Sequence, residues 1–105
     1  MKQKLSIVKI GGSVIENEIE LNEFLRNFSR MEASKILVHG GGKLATKLAS
    51  KLGIESKMTN GRRITDAESL KIITMVYGGL TNKNIVAKLQ ALGINAIGLS
   101  GADGN

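Results

Sequence analysis

Lys9 is followed two residues later by Gly11-Gly12, and His39 runs directly into Gly40-Gly41-Gly42. Where a strand ends in glycines and opens onto a helix, backbone N–H groups point outward at the positive end of the helix dipole. No side chain then keeps an anion away, so phosphate and carboxylate groups are the natural guests. A third glycine-rich stretch occupies residues 100–105, Ser-Gly-Ala-Asp-Gly-Asn. Lys9 sits inside an apolar run. It reads either as a solvent-facing strand residue with its stem lying on the sheet, or as a cation aimed at charge that develops during phosphoryl transfer. His39, the single histidine, reads as a packed, hydrogen-bonded strand end in preference to a general base. Arg62 and Arg63 are neighbours near an Asn-Gly pair. Adjacent strand residues face opposite sides, so at most one of the two points into a site. A guanidinium there suits a carboxylate, which it grips with two parallel hydrogen bonds.

Two nucleotide motifs fail on spacing. A Walker A loop needs glycine five residues before the Gly42-Lys43 pair and Ser or Thr after it, but Leu37 and Leu44 stand there. Gly40, Gly42 and Ala45 fit the loose G-x-G-x-x-G/A dinucleotide pattern. That pattern also needs a following apolar strand ending in an acid, whereas residues 53–60 are polar and turn-like.

The elements that must position these residues follow from periodicity. Residues 5–10 and 35–38 read as strands, and 95–99 as a third. Asn17 with Glu20 three residues on reads as an N-cap for a helix whose face is Leu21, Phe24, Leu25, Phe28 and Met31. Leu44, Leu48 and Leu52 mark a helix closed by Gly53. Asn60-Gly61 between extended flanks predicts a hairpin. Thr65-Asp66-Ala67-Glu68 reads as a capping box for a helix carrying Leu70, Ile73 and Val76, which Gly78-Gly79 should break or kink. Ile85, Val86, Leu89 and Leu92 form another helix ending at Gly93. Strands alternating with helices predict an α/β fold with a mainly parallel sheet, and all three glycine loops at the carboxyl ends of its strands.

Composition narrows the function classes. The 105 residues suit one modest domain, and an aromatic share of 3% requires an aliphatic core. With no cysteine there is no disulfide, thiolate nucleophile or thiolate metal site, and no metal site is expected. The formal charge of +6 is dispersed and lacks interleaved aromatics, so it points to anionic metabolites in preference to nucleic acid. No apolar run approaches the ~18 residues that span a bilayer, and the first residues lack a signal-peptide core. The expected location is the cytoplasm, with no membrane partner.

These motifs resemble the amino acid kinase family. The matching residues are Val8-Lys9-Ile10-Gly11-Gly12-Ser13, Val38-His39-Gly40-Gly41-Gly42, Asn60-Gly61-Arg62-Arg63-Ile64-Thr65, Gly79 with Asn82-Lys83, and Gly98-Leu99-Ser100-Gly101-Ala102-Asp103-Gly104. The resemblance covers essentially the whole chain. It implies a three-layer α/β sandwich of which residues 1–105 are the N-terminal, acyl-amino-acid-binding half, with the ATP-binding half outside this chain. The implied reaction passes the γ-phosphoryl of ATP, accompanied by Mg2+, to the side-chain carboxylate of N-acetyl-L-glutamate in arginine biosynthesis. N-succinylglutamate and aminoadipate-type substrates stand as alternatives within the family, and a non-catalytic anion-binding module outside it. By position, Lys9 would be the catalytic cation, and Gly11 and Gly12 would bind the phosphate. Gly41, Gly42 and Arg63 would hold the substrate, with the hairpin as its lid. Lys9 lies too near Met1 for the N-terminal helix of arginine-inhibited hexamers. The resemblance therefore implies a homodimer without arginine feedback, joined through the helix at residues 66–77.

Overall fold

A computed structural model describes residues 4–55, 57–60 and 62–104, apart from the side chains of residues 57, 58, 63 and 64. Strand β1 (Leu5–Ile10) leads through the short helix α1 (Gly12–Glu16) to helix α2 (Glu18–Ser29) and strand β2 (Ser34–His39). The two strands pair in parallel from Leu5 opposite Ser34 to Ile10 opposite His39. Alternation sends Val8, Ile10 and Leu37 to one face. There they pack with Ile15 of α1, with Leu21, Leu25 and Phe28 of α2, and with Ile85 and Leu89 of a later helix. Full burial of each such aliphatic or aromatic side chain contributes about 1.5–3 kcal/mol. The other face, carrying Ile7, Lys9, Ile36 and Val38, is exposed in this chain.

Helix α3 (Gly42–Lys51) follows β2, then the antiparallel strands β3 (Lys57–Thr59) and β4 (Arg62–Ile64). The hairpin expected from Asn60-Gly61 is present. Asn60 takes the left-handed φ of 50° that the turn demands, and Gly61 lies outside the described residues, as does Asn105. Helix α4 (Ala67–Ile73), a π-helical segment (Thr74–Thr81) and helix α5 (Asn82–Ala91) run on without a gap. Ala45 and Ala49 of α3, small enough for close helix approach, pack on Ile72 and Val76 to make a second cluster. Two helices end as expected on left-handed glycines, Gly53 after α3 and Gly93 after α5.

Three expectations are corrected. Gly78-Gly79 do not break the helical run. The backbone widens into the π segment and resumes as α5. The cap of α4 is Asp66 and not Thr65, its carboxylate accepting from the Ser69 N–H at 2.8 Å. Residues 95–99 form no strand. Their carbonyls are claimed by α5 side chains, with Gln90 donating to Ala96 (3.0 Å), Lys83 to Gly98 (3.0 Å) and Asn82 to Leu99 (3.0 Å). A groove of about 770 Å3 lies between this segment and β2. The α/β class and the parallel sheet stand, with two parallel strands among the described residues.

Candidate functional site

Parallel pairing in register brings two of the glycine exits together, because Ile10 stands opposite His39 and each strand leaves its end through glycine. Gly11 caps α1 and Gly41 caps α3. Neither has a side chain to offer, so neither helix start is closed as α2 is by Asn17 (3.1 Å to the Glu20 N–H) and α4 by Asp66. A Cβ placed at Gly11, Gly12 or Gly40 would meet nothing within 4 Å, and none of the three has a positive φ. The fold of this chain therefore gives no reason for glycine at these positions. The space beside them is clear.

Gly41 differs. Its φ of 158° is disfavoured for side-chain-bearing residues, and a Cβ there would press to 3.3 Å on both Thr81 Oγ1 and the Tyr77 ring. Gly42 is the first residue of α3. Lys9, one residue before the end of β1, lies opposite Val38 on the open sheet face and has no ion pair among the described residues. Of the lysines on α3, Lys43 and Lys47 lie 3.7 and 3.4 Å from Glu16 of α1. Such exposed pairs contribute little energy, but they set α1 beside α3.

The third glycine stretch reaches the same end through one buried amide. Asn82, 6% exposed, donates from Nδ2 to the Leu99 carbonyl (3.0 Å) and to His39 Nε2 (3.1 Å), while its Oδ1 accepts from Lys83 Nζ (3.1 Å). His39 Nδ1 lies 2.8 Å from the Gly40 carbonyl. A Cβ at Gly98 would collide with the Asn82 amide oxygen, so glycine there is a packing requirement. Beyond it, Asp103 Oδ2 accepts from the Ser100 backbone N–H (2.7 Å) and hydroxyl (3.0 Å). These bonds hold its carboxyl below the usual aspartate range, the backbone bond most strongly. His39 is thus the packed, hydrogen-bonded strand end that its position predicts.

Of the expected site residues, Lys9, Gly11, Gly12, Gly41 and Gly42 gather at one sheet edge. Arg63 sits mid-strand in β4, opposite Met58, in a sheet hydrogen-bonded to neither β1 nor β2, and its side chain lies outside the described residues. Sequence reading assigned no role to Asn82. The available signal was a polar residue in phase with Ile85 and Leu89 on the buried side of a helix, where a polar group needs partners. Among the described residues no group of three His, Asp or Glu could hold a metal ion, and no helix is long and apolar enough to cross a membrane.

A sequence model of the amino acid kinase family matches residues 4–105. The chain is 68% identical over its full length to a protein named acetylglutamate kinase from Phocaeicola vulgatus, of which it covers 41%. It is 64% identical to the Bacteroides fragilis protein of that name, covering 40% of it. A Methanopyrus kandleri acetylglutamate kinase is 39% identical over 100 residues, with 38% of its length covered. The chain therefore spans about two fifths of the length of these relatives. Among solved structures it resembles smu.665 from Streptococcus mutans (TM-score 0.71, 25% identity, 86% of this chain and 37% of that one). It also shares a fold with N-acetylglutamate synthase from Neisseria gonorrhoeae (TM-score 0.66, 24% identity, 82% and 20% covered).

Proposed function

Because the chain belongs to the amino acid kinase family, we propose that it is the N-terminal, acyl-substrate-binding half of an enzyme that transfers the γ-phosphoryl group of ATP to the side-chain carboxylate of N-acetyl-L-glutamate. That is the acyl-phosphate-forming second step of arginine biosynthesis. The observation that carries this reading is the sheet edge where Gly11, Gly12 and Gly40 keep open space that this chain would let a side chain fill. The relatives named acetylglutamate kinase give the reading its substrate.

In the proposed reaction a carboxylate oxygen attacks the γ-phosphorus, the bond from that phosphorus to the β,γ-bridging oxygen breaks, and ADP leaves with the electron pair. The nucleophile arrives already deprotonated, so no general base is needed, and His39 is not asked to be one. Catalysis then consists of positioning and charge stabilisation. Lys9 brings its ammonium toward the transferring group, and the backbone N–H groups of Gly11 and Gly12 line its path. Gly41 and Gly42 receive the acyl-amino acid, and Arg63 takes its α-carboxylate beneath the hairpin. ATP enters as co-substrate, its adenine and ribose held by chain outside these residues. The described residues do not fit a resident metal ion. A Mg2+ accompanying ATP would rest mainly on phosphate oxygens. The 105 residues alone would have little or no activity.

The same reading includes cytoplasmic location and a homodimer joined through α4 and the π segment, where Leu70 and Met75 remain 54% and 52% exposed. A monomer by sedimentation of the native protein would remove the dimer. Trapping acyl phosphate with hydroxylamine, across N-acetylglutamate, N-succinylglutamate, aminoadipate derivatives, free glutamate and aspartate, tests the function. N-acetylglutamate should give the strongest signal. Signal with aspartate alone would overturn the N-acyl assignment. Metabolite binding without turnover would favour a non-catalytic module.

A further inference from the structure

We propose that His39 is a positioning residue: in its neutral Nδ1–H form it fastens the glycine exit of β2, through Asn82, to the glycine-rich stretch at residues 98–103. An Asn amide is usually ambiguous end for end. Here its neighbours decide. The Leu99 carbonyl, 3.0 Å from Nδ2, can only accept, and the Lys83 ammonium, 3.1 Å from Oδ1, can only donate. Nδ2 is therefore the nitrogen, and its second hydrogen meets His39 Nε2 at 3.1 Å. Nε2 must accept, so the ring's one proton belongs on Nδ1, which lies 2.8 Å from the Gly40 carbonyl. Every donor and acceptor in the chain Gly40–His39–Asn82–Leu99 is matched, with Lys83 also tied to the Gly98 carbonyl at 3.0 Å. The ring with a proton on Nε2 would set donor against donor at an amide only 6% exposed. That amide cannot turn over without losing Leu99 and facing its NH2 to Lys83.

Two glycine loops far apart in sequence are thus held in one arrangement by one imidazole tautomer. The bearing of this lock on turnover rests on the kinase reading above. The position of the proton does not.

The test is a two-bond 1H–15N correlation spectrum of the native protein at neutral pH, with the His39 signals assigned by their absence in H39N. The expected pattern is a protonated Nδ1 and an unprotonated Nε2. A proton on Nε2 overturns the proposal, whatever the enzyme does. Asn82→Asp replaces the donor at Nε2 by an acceptor, so Nε2 should gain a proton. An unchanged ring pattern in a folded Asn82→Asp protein also overturns it. In the acyl-phosphate assay, His39→Gln keeps an acceptor for Asn82 and should retain kcat within a few-fold. His39→Leu keeps bulk but no acceptor and should lose about tenfold or more in kcat, the scale of one buried hydrogen bond left unmade. Equal kcat for the Gln and Leu variants would overturn the positioning role. A wild-type enzyme with no kinase activity but the expected ring pattern would overturn the function while leaving the lock in place.

Discussion

Four helix starts in this chain meet the same physical demand in two ways. The first turn of any helix leaves backbone N–H groups without partners inside the helix. At α2 and α4 a side chain answers the demand, Asn17 in one and Asp66 in the other, each bonding the N–H three residues on. At α1 and α3 the capping residue is Gly11 or Gly41, which has no side chain to do so. Both glycine starts directly follow β1 and β2, whereas the side-chain-capped starts follow α1 and the β3–β4 hairpin in the chain. The difference separates helix ends closed by a side chain of their own from ends that glycine leaves open. The exposed Lys9 stands beside the second kind.

The largest effect that would sharpen this contrast is removal of the charge at the glycine edge. Lys9→Ala in the native enzyme should lower acyl-phosphate turnover by roughly 100- to 1000-fold, the scale of one preorganised electrostatic contact. The melting temperature should scarcely move, since Lys9 is exposed and has no ion pair among the described residues. Retention of most of kcat would remove Lys9 from the mechanism. Next comes filling the open space. Gly12→Ala has room and sits in a helix, so stability should rise by up to about 1 kcal/mol, while turnover falls about tenfold or more. Gly41→Ala should damage both, because its φ and the Tyr77 and Thr81 contacts resist a Cβ. If Gly12→Ala proved destabilising and fully active, the distinction between the two kinds of helix start would fail.

The side-chain-capped starts should respond in the opposite sense. Asn17→Ala and Asp66→Ala should each reduce unfolding free energy by about 1 kcal/mol with kcat unchanged, as measured by denaturant melts beside the same assay. A kcat loss as large as that of Gly12→Ala would erase the contrast from the other side. The smallest effect concerns Asp103. Its carboxyl is held below the usual range, so the order it gives the Ser100 turn is complete above the ordinary aspartate range and lost as pH falls through the lowered value. The protection of the Ser100 amide proton, its exchange measured against the intrinsic rate at each pH, should fall only in that acid window.

Much of the glycine edge was legible because strand, glycine and helix follow one another locally, and parallel pairing of β1 with β2 then aligns the exits. The Asn17 cap and the hairpin were legible for the same reason. Thr65 and Asp66 are adjacent cap formers, and the pattern could not choose between them. Residues 95–99 carry a strand pattern, yet the carbonyls of Gly98 and Leu99 are bonded by Lys83 and Asn82, 15 and 17 residues earlier in the chain. The role of Asn82 joins residues 43 positions apart through His39, which no local window contains. Arg63 is legible as a candidate by type and motif alone, and its relation to the glycine edge is for mutagenesis to establish.

The π segment gives this arrangement an unusual sensitivity to length. Each residue of an α-helix advances the side-chain direction by about 100°, and π turns accommodate extra residues that an α-helix of the same rise would not. Thr74–Thr81 therefore sets the angular phase of everything after it, including Asn82. Deleting one residue there would let the segment relax to regular α-helix with the phase of α5 kept, whereas inserting a further one would turn the Asn82 amide away from the imidazole. Ile85 and Leu89 would swing out of the core with it. Substitutions in the segment ask only that a side chain fit, whereas one residue more in its length rotates the whole downstream helix like a screw set a thread out of register.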